Sequence, residues 1–212
     1  MLLVAGEALI DLLPVEGVEE GSAGGVLEPA VGGSPFNVAL AAGRLGLKTR
    51  FLNRISLDGF GERLAGALEE SGVDLGLCPR VEALTTLGMV RFPKGDGVAE
   101  YAFYTQGTAG VGPEEEDLPA ALPEEVGMVH VGSFALAVER VGPVLEVLLE
   151  MAGRGRLVSF DLNVRAFLVE DEAGYRARVE RVLDRAEVVK VSDEDLEWLV
   201  PGVEVDAWVA GC

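Results

Sequence analysis

The sequence has one histidine, His130, and two cysteines, Cys78 and Cys212, neither in a Cys-x-x-Cys pair. A disulfide framework or a zinc centre has little to build on, and a cytoplasmic setting is the expectation. Any Ser-His-Asp or Cys-His mechanism would have to run through His130. That residue sits in the apolar run Met128-Val129-His130-Val131, which reads as a buried strand, so a core histidine is expected. Basic residues are also scarce: 17 Lys and Arg stand against 36 Asp and Glu, for a net charge of −19. A nucleic-acid partner needs a basic footprint to release counterions, and none is offered. Apolar runs are all short, and no basic segment precedes the first of them, so neither membrane span nor signal peptide is expected. A Walker A motif is missing, and Gly59-Phe60-Gly61 lacks the third glycine of a dinucleotide fingerprint.

What the 212 residues do hold is apolar mass: 49% are hydrophobic and 25% charged, which suits one globular domain with a sizeable core. Strand-period and helix-period segments alternate. Residues 2–5, 51–55, 126–131, 157–160 and 188–191 read as strands. Ser34 is expected to cap a helix with Pro35 at its first position and Gly46 past its end; that helix is apolar nearly all round and should be buried. Asp58 caps a second, amphipathic helix through Leu64, Ala67 and Leu68, ending at Gly72. Further helices fall at 141–152 and 173–185. This order implies an α/β fold: a parallel sheet sandwiched by helices, with right-handed crossovers.

One stretch breaks the rhythm. Residues 86–92 and 98–104 are strand-like and joined by Pro93-Lys94-Gly95-Asp96-Gly97, which predicts a hairpin. Residues 9–13 and 26–31 supply two more strands of the same small sheet. The expectation is a lid of strands from about 9–31 and 86–105 inserted in a single domain spanning 1–212. Residues 113–125 are acidic and read as a surface connection. Residues 206–210 look helical with Gly211 as cap. A strand is expected to follow, and without it the strand at 188–191 has an open edge.

Four groups of residues carry possible chemistry, each with a plainer alternative. Gly32-Gly33-Ser34-Pro35-Phe36-Asn37 lets a ligand approach the backbone at a helix start, with Asn37 available to a polyhydroxyl ligand; it is also what a capped helix after a turn looks like. Asp11 ends an apolar run, where its carboxylate can accept sugar hydroxyls or can be an ordinary strand-end acid. Asp161, Asn163 and Arg165 follow a strand directly, where ligands collect in open α/β sheets, and Arg165 has the fork to clamp a phosphate; a local loop ion pair fits equally. Lys190, Ser192 and Asp195 repeat that geometry one strand on. They suit nucleotide phosphates and a water-mediated magnesium, or simply a helix capped by Ser192 with acids in its first turn.

In order along the chain, Gly6-Glu7-x-x-Ile10-Asp11, Gly32-Gly33-x-x-x-Asn37, Arg44-Leu45-Gly46, Asp58-x-Phe60-Gly61, the flap, Asp161-x-Asn163-x-Arg165 and Lys190-Val191-Ser192 resemble the PfkB/ribokinase family of sugar kinases, most of all its bacterial fructokinases. The resemblance implies a ribokinase-like three-layer α/β/α sandwich with a β lid, and transfer of a phosphoryl group from MgATP to a sugar. It implies that Asp11, Gly32, Gly33, Asn37 and Asn163 bind sugar and that Met89 and Phe103 pack on it from the lid. Arg165 would stand between sugar and phosphoryl group, Lys190 and Ser192 near the nucleotide, and Asp195 near the metal through water. Two copies would meet through the lid. The family's Asn-x-x-Glu motif reads Ser192-Asp193-Glu194-Asp195 here. Its second signature, a Gly-Ala-Gly-Asp that carries the catalytic base, does not occur, so the chain is expected to be C-terminally truncated. A catalytically dead fragment or sugar-binding remnant is the rival reading. Relatives that act on 2-keto-3-deoxygluconate place an arginine on the lid where Thr105 stands here, which favours a neutral sugar, fructose first.

Overall fold

The computed structural model describes residues 1–15, 26–91 and 100–211. The expected hairpin turn at 93–97 and Cys212 lie outside those residues. The chain opens with β1 (Leu2–Ala5), β2 (Leu9–Pro14) and β3 (Leu27–Gly32), then α1 (Ser34–Arg44), β4 (Thr49–Leu52), β5 (Ile55–Ser56) and α2 (Gly59–Glu70). It continues through β6 (Val73–Leu77), β7 (Arg80–Val81), β8 (Leu87–Arg91), β9 (Glu100–Tyr104), β10 (Met128–Gly132), α3 (Gly142–Ala152) and β11 (Leu157–Asp161). The last elements are α4 (Glu172–Arg185), β12 (Val188–Lys190), α5 (Asp193–Leu199) and α6 (Val205–Gly211).

The main sheet has the order β12-β11-β10-β1-β4-β6, and each neighbouring pair is parallel. Side chains of β1 alternate between two cores, as a strand buried on both faces requires. Leu3 and Ala5 join Leu145, Leu148, Val179 and Val182 of α3 and α4. Val4 joins Phe36, Leu40, Leu64 and Leu68 of α1 and α2. Helices therefore cover both faces, giving three layers.

The starts of α2 and α4 carry the side-chain caps that local chemistry favours at these positions. Asp58 caps α2 by accepting the N–H of Gly61 at 2.7 Å, and Asp171 caps α4 by accepting that of Gly174 at 3.1 Å. Ser34 does not cap α1. The N-cap is Gly33, at φ 108°, a conformation that favours glycine. Ser34 is itself the first helical residue, and its hydroxyl turns away to Asp161.

The small sheet has the order β3-β2-β8-β9. Its pairs are antiparallel except β2 with β8, which run parallel because the chain returns through the main sheet between them. The three-residue β12 ends the main sheet, with Val188 exposed and no further strand beside it among the described residues.

Phe36 is fully buried, with its ring edge-on to Phe51 at a centroid distance of 6.3 Å. Phe36→Ala should cost about 3–5 kcal/mol, since the vacated volume collapses only partly. Leu45, just past α1 and 81% exposed, should tolerate alanine within about 0.5 kcal/mol. Urea denaturation of the two variants checks the contrast.

Candidate active site

The carboxyl ends of β1, β10 and β11 meet the inner face of the small sheet around a cavity of about 430 Å³. Glu7, Leu9, Asp11, Asn37, Phe103, Ser133, Asn163 and Arg165 are among the residues lining it. A second cavity of about 690 Å³ adjoins it, lined by Lys190, Ser192, Glu194, Asp195 and Trp198. Tyr101, Asn163 and Arg165 line both, so they form the shared wall.

Asp11 projects from β2 between β3 and β8. A side chain on Gly32 would collide with its Oδ2, and one on Gly88 with its Oδ1. Two glycines thus make the slot that holds this carboxylate against the cavity. Burial pushes the Asp11 carboxyl above its usual range, and the positive charge of Arg165 across the cavity pulls it back part of the way.

Arg165 is held by its own loop. Its Nη1 donates to Asn163 Oδ1 at 2.9 Å and to the Val164 carbonyl at 3.0 Å, while the guanidinium lies 5.5 Å from the centre of the Tyr101 ring. Asn163 Nδ2 donates to Ser133 Oγ at 3.0 Å. The loop also grips the lid through an aromatic stack: Phe167 lies parallel to Phe103 at 5.8 Å, and Phe103 continues to Tyr101 at 6.0 Å and Phe134 at 5.1 Å.

Glu7 is 1% exposed at the end of the central strand. Its Oε1 accepts the Ser34 N–H at 3.1 Å, and its Oε2 has no hydrogen-bond partner. Burial drives its pKa up to about 7, with Ser133 and the N–H groups of Ser34 and Ala135 acting the other way. Next to it, Ser34 Oγ donates to Asp161 Oδ2 at 3.3 Å, and Lys190 Nζ lies 3.1 Å from Asp161 Oδ1. Asp195 Oδ1 accepts the Val164 N–H at 2.7 Å, and its Oδ2 accepts the Ser192 N–H at 3.1 Å.

Residues 1–204 match the sequence pattern of the pfkB family carbohydrate kinases. The chain belongs to that family. Among pfkB-family relatives it is 38% identical over 200 residues to a fructokinase of Rhizobium leguminosarum bv. trifolii, covering 93% of this chain and 59% of the relative. It therefore spans about three fifths of that relative's length. The crystal structure of fructokinase with bound ATP from Xylella fastidiosa superposes with a TM-score of 0.85 at 29% identity, covering 99% of this chain and 67% of that one. A fructokinase from Vibrio cholerae O395 in a form with fructose, ADP and calcium bound gives a TM-score of 0.81 at 25% identity, with coverages of 99% and 65%. The ribokinase-like three-layer fold follows from these likenesses and from the sheet order.

Most residues singled out in this pfkB-family sequence come together: Asp11, Gly33, Asn37, Phe103, Asn163 and Arg165 line the first cavity, Lys190, Ser192 and Asp195 the second, and Gly32 abuts Asp11. Met89 does not. Register pairs Asp11 with Gly88 and Gly88 with Phe103, whereas Met89 pairs with Leu12 and Ala102. Met89 therefore lies on the opposite face of the small sheet, because successive strand residues alternate. Asn37 is exposed rather than buried, since α1 turns Asn37, Val38 and Ala41 toward the cavity. Ser192 caps α5 in a reciprocal box with Asp195, so the acid intended for magnesium has both oxygens on backbone N–H groups. No group of three His, Cys, Asp or Glu among the described residues can hold a metal ion. Thr105 lines a different cavity, with Gln106, Arg140 and Phe167.

His130 is buried on β10 with Nδ1 3.1 Å from Ser159 Oγ, and burial lowers its pKa to about 4. It is a neutral core residue, as its apolar setting suggested. Sequence pattern assigns no role to Glu7, Ser133, Gly88 or Tyr101. Glu7 stands in the Gly6-Glu7 motif and Tyr101 alternates with Phe103 along one strand, whereas Ser133 and Gly88 depend on register and on strands distant in sequence.

Because the folded pKa of Glu7 lies above the ordinary 4.5, the folded state binds more protons than the unfolded one between those values. Its contribution to stability therefore falls as pH rises through that window. Glu7→Gln, which cannot ionise, should gain on the wild type by about 2–3 kcal/mol between pH 5 and pH 8. Urea denaturation of both proteins at the two pH values measures that difference, and an unchanged difference would show that Glu7 does not titrate as a buried acid.

Proposed function

We propose that this chain forms the sugar-facing and phosphoryl-facing part of an ATP-dependent sugar kinase, with fructose as the substrate. The observation that carries this is the shared wall. Arg165, Asn163 and Tyr101 separate two adjoining cavities, one lined by a slotted carboxylate and an amide, the other by a lysine and the first turn of α5. In-line transfer needs two ligands that meet at a fixed cation, and Arg165 is that cation.

In this reading Asp11 and Asn37 take sugar hydroxyls, Gly32 and Gly33 allow their close approach, and Phe103 covers the apolar side of the ring. Asn163 orients Arg165. Lys190 and Ser192 face the nucleotide phosphates, and magnesium arrives with ATP rather than in a protein cage. The charged residues lining the first cavity are Glu7, Asp11 and Arg165. One cation against two acids suits a neutral polyol better than a sugar acid such as 2-keto-3-deoxygluconate. Stacking of Phe103 on Phe167 supports the small sheet as a lid that excludes water. Tyr104 and Leu27, exposed on that sheet, offer a second copy apolar contacts, so a homodimer through the lid belongs to the proposal. No described helix is long and apolar enough to cross a membrane, and a cytoplasmic location is part of the same reading.

The acids nearest Arg165 and Lys190 are already held in place. Asp11 is slotted, and Asp161 is engaged by Ser34 and Lys190. This favours keeping the rival, a sugar-binding module without turnover. The test is ADP release by the purified chain with MgATP and fructose, ribose or 2-keto-3-deoxygluconate, alongside calorimetric sugar binding. ADP release on fructose is the kinase result. Fructose binding without ADP release leaves the module, and neither response overturns the proposal. Where turnover occurs, Arg165→Ala should lower kcat by about 100-fold, and an unchanged kcat would remove Arg165 from the mechanism.

A further inference from the structure

Two non-glycine residues among those described have left-handed backbones: Ser133 at φ 62° and Asn163 at φ 36°. They follow neighbouring parallel strands, and their side chains are hydrogen-bonded to each other. Strain of this kind persists where the surroundings over-determine a side-chain position. The donors and acceptors run in one direction. Arg165 Nη1 gives a hydrogen to Asn163 Oδ1, and Asn163 Nδ2 gives one to Ser133 Oγ. Ser133 is 2% exposed. With its oxygen already accepting, its own hydrogen must go elsewhere. Beside it is the Glu7 carboxyl, whose Oε2 is buried and has no donor.

We propose that the Ser133 hydroxyl donates to Glu7 Oε2, so that a buried carboxylate orients the Arg165 guanidinium through Ser133 and Asn163. Glu7 is then a positioning residue, at the far end of the relay from Arg165. Ionised, the carboxylate can only accept, and the relay keeps its direction. Protonated, it can donate to Ser133 Oγ and compete with the Asn163 amide. The burial that raises Glu7 to about 7 places that change near neutral pH. Asp11 and Arg165 face Glu7 across the cavity, Tyr175 of α4 senses its charge, and Asp161, with Lys190 behind it, is reached through Ser34. The inference rests on the kinase reading only for what Arg165 does; the relay itself does not need it.

The test follows the Asn163 side-chain amide by NMR in the full 212-residue chain labelled with nitrogen-15, assigned through Asn163→Asp. The amide pair should shift with pH around a midpoint near 7 in the wild type, and that titration should vanish in Glu7→Gln. Ser133→Gly removes the middle link while suiting the left-handed backbone, so it should fold and should also abolish the titration. A wild-type amide that does not titrate between pH 5 and pH 9, or a titration that survives Ser133→Gly, would overturn the relay. Fructose calorimetry on the same wild-type sample separates the two ideas: loss of fructose binding would strike the sugar reading and leave the relay intact.

Discussion

The hydrogen bond from the Ser34 N–H to Glu7 Oε1 joins the central strand of the sheet to the first turn of α1, and the rest of the cleft is arranged around it. Burying a carboxylate is costly unless its charge is paired or given up, and here no ion pair offsets the burial, which raises the pKa of the group to about 7. What it secures is orientation. With the α1 start held against β1, Asn37, Val38 and Ala41 face the cavity, and the Ser34 hydroxyl is delivered to Asp161. Asp161 in turn lies against Lys190, so the ends of β1, β11 and β12 are connected through side chains as well as through the sheet.

The loop after β11 performs two tasks with adjacent residues. Arg165 supplies a cation at the wall between the cavities, and Phe167 stacks on the lid residue Phe103. The lid and the guanidinium are thus positioned by the same short segment, whose base is tied to α5 by the Val164 N–H to Asp195. That use of Asp195 explains why an acid that resembles a magnesium-linked residue faces backbone. Closing the loop onto the helix takes its Oδ1, and the capping box at the start of α5 takes its Oδ2.

Where sequence patterns described one element at a time, they held. The parallel sheet, the caps Asp58 and Ser192, the core position of His130 and the four strands of the small sheet all rest on local periodicity or local hydrogen bonding. Where a residue's role depended on a partner in another element, they did not. The family resemblance puts Met89 in the cleft, but the register of β2 on β8 gives that place to Gly88. Ser34 has the chemistry of a cap, yet Gly33 takes the cap and Ser34 reaches Asp161, 127 residues away.

Hydrophobic period and motif order are written along one dimension, and they suffice for the α/β alternation, the two helix layers and the family. Only the folded arrangement brings Glu7, Ser133, Asn163 and Arg165 into one group, sets Asp11 in a slot of two glycines and gives two cavities a common wall. Those outcomes depend on which strands become neighbours and in what register. A one-residue slip exchanges every side chain on a strand between its faces, and nothing local to either strand records the choice.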